Sequence, residues 1–528
     1  MVFTSLKFLI FLAIVIAVYF VCPIKHRWVV LLAGSLTFYA IAGVKYIPFM
    51  LAAAFISWYA AILISRENAK LKSETAELSD KAAIKARKEQ TKAINKRYVT
   101  IAVIVLIAYL AYTKFARMSV AAFESLVGGG TDLADSMTII VPLGISYYTF
   151  STVGYVLDVY WKRYAAEENF FRYLLYVCYF PHILQGPIAR YDRVGKSLRE
   201  EHAFDYKRFC YGMQLMVWGF FEKLVIADRL STFVATVFDD CANQYGWVMI
   251  TAVFFYAIQI YTDFAGCVNI AMGMSEIMGI EIENNFRQPY FSKSVDEFWR
   301  RWHMTLGAWF KDYLCMPVSM TRAVKDFSKK MREKHGAQAG KTTTTVCALI
   351  AVWICTGAWH GTGWDYMIWA AWQCGIIVIG LVMKDSFTSW KQALHINEDS
   401  AAWGAFQIVR TFFLVGIVPR VVTRANSLSD ALIIFKHMFS KWDLAVFFDG
   451  RILEYGLNNR AFIAAVISIL VLLAVSLMHE KEIKIRETIA SKNIVIRWII
   501  YILAIVIIVV FGVWGPGYDA STFVYMDF

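Results

Sequence analysis

The sequence predicts an all-α fold: a polytopic transmembrane helical bundle with about 11–12 crossings plus re-entrant or interfacial helices. Three observations carry this. Of 528 residues, 59% are hydrophobic and only 18% are charged, far from the charge-broken composition of a soluble domain. The charges fall in clusters, and long apolar runs separate them. Runs of that length span a bilayer as helices, because each backbone polar group must be satisfied within its own segment. The chain therefore reads as a single membrane-embedded domain, 1–528.

Taken in order, the apolar runs place crossings at 4–22, 28–44, 47–65, 98–115, 138–160, 209–227, 247–272, 344–359, 364–383, 405–420, 461–478 and 496–515. The run Leu6–Val21 is as short as a signal peptide. It lacks a basic leader and a small-residue cleavage site, so it reads as a retained first helix. Segment 170–187 is apolar but interrupted by Pro181 and Pro187, which suits a re-entrant or interfacial element better than a crossing.

Charge asymmetry orients the bundle. The stretch Arg66–Arg97 is helical in pattern and carries ten Lys/Arg against five Asp/Glu, which places it in the cytoplasm. Three crossings precede it, so both termini fall outside, and 190–208, 322–341 and 481–497 fall inside with their own basic excess. The net charge of +12 is thus explained by orientation, and no basic and aromatic module stands apart to bind nucleic acid. Nine cysteines are scattered without a CxxC pair and read as small buried hydrophobes. No nucleophile elbow, phosphate loop, HExxH or dinucleotide fingerprint occurs in a fitting context, so the sequence assigns no metal and no bound cofactor.

Four segments carry candidate chemistry. Ser294–Pro317 is aromatic and amphipathic and holds Arg300, Arg301 and His303. It reads as a helix lying at the interface or dipping into the protein, where His303 sits among cations that could orient an anion. The second is Thr356–Trp364, a Gly-rich turn between two apolar helices. It puts His360 at the outward tip of a hairpin, where an imidazole could act as general base or serve as a hydrogen-bonded structural residue. The third is Asp263, which interrupts an apolar run and so needs a partner: a histidine, an arginine or a hydroxyl. The fourth is a pair of polar loops, Glu283–Tyr290 with Asn285, and Gln185–Arg190 with Gln185. Each could line an entrance or merely connect helices.

Together these stretches resemble the membrane-bound O-acyltransferase family. The resemblance rests on VPLGISYYTF (141–150), YFPHILQGPIARYD (179–192), QIYTDFAG (259–266), ENNFRQPYFSKSVDEFWRRWHMTLGAWFKDYL (283–314) and GAWHG (357–361), and covers roughly 140–380. FWRRWH followed 57 residues later by WHG is the most specific part. It is closest to the bacterial branch of alginate, peptidoglycan and other cell-surface polysaccharide O-acetyltransferases, related to the teichoic-acid D-alanyl transferase. The resemblance implies helices around a central funnel in a bacterial plasma membrane. It makes His360 the active-site histidine and His303 the second, with Arg300, Arg301, Asp263, Asn285 and Gln185 binding the donor or supporting the site. The donor would be acetyl-CoA or an acyl-phosphopantetheine carrier protein on the cytoplasmic side. The acceptor would be a polysaccharide, reached through an extracellular SGNH-type, esterase-like partner. Where the family often has a His-Gly pair this chain has Gln373-Cys374-Gly375.

The tail 516–528 ends on Tyr525-Met-Asp-Phe528 and resembles an acyl-shuttle segment in which Tyr525 relays the acyl group. Tyr525 lies nine positions after Pro516, an extended reach of ~30 Å. Two other functions stay open at this point: D-alanyl transfer to teichoic acid, and a transporter or flippase of lipid-linked sugars. The sequence lacks the matched halves of many transporters.

Overall fold

The computed structural model describes residues 2–77, 79–127 and 136–513. The tail 516–528 with Tyr525, and the Gly128–Gly130 run, lie outside the described residues. Among the described residues the regular elements are helices, and one isolated bridge joins Phe286 to Trp302. Eight helical stretches are long and apolar enough to cross a bilayer. The protein is therefore an all-α, multi-pass membrane protein.

Of the twelve predicted crossings, 138–160 is seen only as the 16-residue helix Ile145–Tyr160 and 209–227 as Tyr206–Phe220 followed by the π-turn Phe221–Ala227, neither among these eight; others reappear with changed ends. The expected 28–44 and 47–65 merge into one helical stretch, Ile24–Glu77, while Leu6–Val21 is apolar but only 16 residues long. The basic stretch 66–97 is helical as expected, but it is no separate element. It extends the helices Ile47–Glu77 and Lys81–Val127, which pack against each other. Arg87 ties them by pairing with Glu67 (2.8 Å) and with Glu74. The outer surface is apolar where lipid would lie: Ile494–Phe511 buries 6% of its most apolar window.

The chain forms two compact units, one of Met1–Met213 with Ala271–Glu283, the other of Gln214–Ile270 with Asn284–Phe528. In the first, segment 170–187 breaks as its prolines demand: Phe170–Cys178 and Phe180–Ile183 are separate helices. Asn169 caps the former by accepting from the N–H groups of Phe171 and Arg172, an arrangement worth about 1 kcal/mol. The core of this unit is aromatic, with Tyr155, Tyr173, Tyr176 and Tyr191 in mutual ring contact.

In the second unit two glycines set the geometry. A Cβ on Gly219 would meet the Gly266 carbonyl oxygen at 2.5 Å, and one on Gly266 would meet that of Gly219 at 2.7 Å. Only small residues permit such an approach. One turn along each helix, that contact delivers Lys223 to Asp263. The same unit corrects one expectation. Ser294–Pro317 is not one amphipathic helix. It breaks at Trp302–His303 into Val295–Arg301 and Met304–Phe310, followed by the π-turn Lys311–Cys315 and a short helix Met316–Ser319. The break is enforced by pairing with the loop before it: Arg287 N–H donates to Arg301 O and Met304 N–H to Asn285 O, both at 3.0 Å.

Candidate active site

His303 sits at that break. It occupies the left-handed region, φ 45° and ψ 53°, a costly conformation for a residue with a side chain and one that recurs at functional sites. Its ring is 3% exposed and meets Phe264 edge-on at 4.9 Å. Its Nδ1 lies 3.1 Å from Asn285 Oδ1.

The neighbours of Asn285 fix the proton on His303. The Thr305 backbone N–H points at Asn285 Oδ1 at 3.1 Å, and the Thr305 hydroxyl donates to it at 3.0 Å. A backbone N–H can only donate, so the atom it meets is the amide oxygen. That oxygen can only accept, so Nδ1 of His303 carries the hydrogen and Nε2 presents its lone pair. Nε2 of His303 and Nδ2 of Asn285 are both buried and hydrogen-bond to no described residue. Burial pushes the His303 imidazole down to about 3, so it is neutral over the working range of pH.

His360 ends the helix Ala337–His360, which packs against Trp364–Val382. It is 7% exposed. Glycines make its surroundings possible: a Cβ on Gly357 would lie 2.8 Å from Ala370 Cβ, and one on Gly361 would lie 2.2 Å from the Tyr366 ring. Tyr366 stacks on the His360 ring at 6.1 Å, and Trp369 and Trp359 meet it edge-on at 4.9 and 4.7 Å. Trp359 also lies 6.3 Å from His303, so one indole bridges the two imidazoles. Behind them Trp299, Trp353 and Trp369 form a tryptophan cluster.

The other predicted residues divide. Asn285 joins His303, as described. Asp263 neighbours Phe264 in sequence but turns to Lys223 Nζ at 2.5 Å, and the same ammonium meets Asp228 at 2.8 Å. The expected histidine, arginine or hydroxyl partner is in fact a lysine. Arg300 is exposed and paired with Asp296. Arg301 is held by Glu297 (2.7 Å) and Glu480 (2.5 Å). The cations next to His303 in sequence are thus engaged by carboxylates. Gln185 belongs to the first unit, where it is 3% exposed.

Sequence reasoning missed Lys223 and Arg420. Each interrupts an apolar run, the signal that picked out Asp263. Lys223 falls within a predicted crossing, and Arg420 lies at the predicted end of one, where a cation passes for an ordinary interfacial residue.

The family model of membrane-bound O-acyltransferases matches residues 165–328, a span that contains His303, Asn285 and Asp263. Among relatives, the probable alginate O-acetylase AlgI of Azotobacter vinelandii is 29% identical over 448 residues, covering 84% of this chain and 79% of that protein. Over these spans the chain is similar to membrane-bound O-acyltransferases. The peptidoglycan O-acetyltransferase of Helicobacter pylori is 24% identical over 441 residues, 78% of this chain and 73% of that one. The teichoic acid D-alanyltransferase of Bacillus subtilis is 30% identical over 277 residues, 52% of this chain and 66% of that one. This acyltransferase therefore places one predicted histidine inside the family match and the other beyond it.

Proposed function

We propose that the enzyme is an O-acetyltransferase acting on hydroxyls of a cell-wall or secreted polysaccharide, with a thioester donor supplied from the cytoplasm. The observation that carries the reading is the pair of buried histidines bridged by Trp359, one of them fixed as a hydrogen-bond acceptor by Asn285. Two relatives named for O-acetylation are each covered over 78% or more of this chain, against 52% for the D-alanyl relative, which favours acetyl over D-alanyl.

In the proposed reaction the attacking hydroxyl oxygen adds to the thioester carbonyl while its proton passes to His360. The C–O bond forms, the C–S bond breaks, and the thiolate leaving group takes a proton in turn. His303 cannot donate from Nε2, so it does not polarise the carbonyl. It accepts a hydrogen bond from the substrate and positions it. The donor needed at the developing oxyanion is Asn285 Nδ2, buried beside it. Tyr525, outside the described residues, would take the acyl group and pass it to an external esterase-like partner. The basic cytoplasmic stretches would attract an anionic donor such as coenzyme A or an acidic carrier protein.

The test is mass spectrometry of the surface polymer and of Tyr525 in cells carrying wild type or Tyr525→Phe. An acetyl mass on Tyr525, and loss of polymer acetylation in the variant with normal expression, supports the reading. A D-alanyl mass replaces the acetyl assignment, and unchanged acetylation in Tyr525→Phe removes the relay.

A further inference from the structure

The second unit holds a buried cation whose charge no described carboxylate meets. Arg420 lies on Val418–Arg424, directly after the π-turn Phe413–Ile417. It is 6% exposed. Its guanidinium carbon stands 5.2 Å over the Trp302 ring, and its Nε is buried without a hydrogen-bond partner among the described residues. The contrast with its neighbours is sharp. Arg300, Arg301 and Lys223 each have a carboxylate at hand, and among the described residues Arg420 has an aromatic face alone. A buried charge left in that state is strongly unfavourable, and a cation–π contact offsets only part of that cost.

The geometry also says what would complete it. With its carbon over the Trp302 ring, the guanidinium still has an Nε–H that no described residue accepts. The edge carrying Nε–H and one terminal N–H is the fork that binds an oxyanion through two parallel hydrogen bonds. The helix bearing Arg420 packs against Trp364–Val382. That helix contributes Gln373, which is 0% exposed, and neither its amide nitrogen nor its amide oxygen has a partner among the described residues.

We propose that Arg420, stacked on Trp302, is an oxyanion-binding residue that takes a phosphoryl group. Two sources offer that chemistry: the phosphate of a phosphopantetheine-type donor, which rests on the thioester reading above, and a phospholipid headgroup, which does not.

The experiment uses the full chain in phosphatidylcholine nanodiscs. In one arm, binding of phosphopantetheine is compared with binding of pantetheine, which differ by the phosphate alone. In the other, native mass spectrometry counts phosphatidylglycerol retained from mixed nanodiscs. A donor phosphate is indicated if wild type prefers phosphopantetheine at least tenfold and Arg420→Gln erases that preference while pantetheine binding is kept. A lipid headgroup is indicated if retained phosphatidylglycerol is lost in Arg420→Gln with no phosphopantetheine preference. Arg420→Lys keeps the charge and loses the fork, so it gives an intermediate effect and serves if the glutamine variant does not fold. His360→Ala retains the phosphate preference although turnover is gone, so failure of the acyl-transfer reading and failure of this site are read separately. The proposal falls if wild type shows neither preference, or if Arg420→Gln leaves them intact. It also falls if Asp519→Asn or Asp527→Asn reproduces the Arg420→Gln loss, because the partner is then a carboxylate of the chain itself.

Discussion

Two buried polar groups in the second unit look alike in sequence and differ in what they leave over. Lys223, Asp263 and Asp228 are 1, 1 and 9% exposed, and the ammonium meets both carboxylates. Asn285 and His303 are 0 and 3% exposed, yet each ends on a polar atom that no described residue engages. The first cluster spends its electrostatic capacity on the fold. The second uses half of its capacity to fix a tautomer and keeps the other half for a substrate. Burial of a polar group in a membrane protein marks both; residual hydrogen-bonding capacity separates them.

The comparison breaks if the histidine site is structural. His360→Ala should lower acyl transfer roughly 100- to 10,000-fold while leaving the thermal unfolding midpoint near that of wild type. Transfer is read as acetyl label on the polymer and unfolding by intrinsic tryptophan fluorescence. A variant that unfolds but transfers normally per folded molecule would put His360 in the same class as Lys223.

The converse holds for the charged cluster. Lys223→Met leaves two buried carboxylates facing an apolar side chain and should cost about 3–5 kcal/mol of stability, read from denaturant unfolding in detergent. Specific activity of the surviving folded protein should change little. Lys223→Met with Asp263→Leu should regain part of the loss, because the uncompensated charge is removed along with its partner. Loss of activity without loss of stability would move this cluster into the catalytic machinery.

Most of the architecture was legible because membrane helices are governed by one strong constraint. Apolar length and charge asymmetry placed the helices 209–227, 247–272, 344–359, 364–383 and 461–478 close to their final positions. The break at His303 was not legible: its sequence is compatible with a continuous amphipathic helix, and the chain turns there through backbone hydrogen bonds with Asn285, which accepts, and Arg287, which donates. Site residues were legible as types and not as partnerships. His303, His360 and Asn285 stand in motif-like stretches, whereas Asp263 and Lys223 lie 40 residues apart in sequence and are brought together by a glycine-to-glycine helix crossing. Arg300 and Arg301 were drawn toward the site by adjacency in sequence, but the helix turns them to Asp296, Glu297 and Glu480.

Asn285→Ala sharpens the comparison at smaller scale. It removes the acceptor that holds Nδ1–H together with the buried Nδ2 amide group. Turnover should fall roughly 10- to 100-fold, equivalent to the loss of a buried hydrogen bond or two. Asn285→Asp supplies the acceptor and removes the donor. It should preserve the tautomer, so its deficit reports the Nδ2 contribution alone. Equal defects in the two variants would show that orientation of His303 is not what Asn285 supplies.

The smallest effect is the pH dependence of stability. Burial alone lowers the His303 value from 6.5 to about 3; the neighbours named here, Asn285, Phe264 and Trp359, are neutral. The unfolded chain therefore binds a proton below pH 6.5 that the folded chain refuses until about pH 3. Stability falls as pH drops through that window, by at most about 1.4 kcal/mol per pH unit, and is independent of this group above it. His303→Gln removes the titration, so the difference between the two unfolding curves should be flat from pH 7 to 8 and should narrow as the solution is acidified to pH 5. If the difference instead widens on acidification, His303 gains rather than loses from its proton in the folded state. The imidazole would then be a charged partner of the kind found at Lys223, and the distinction between the two sites would disappear.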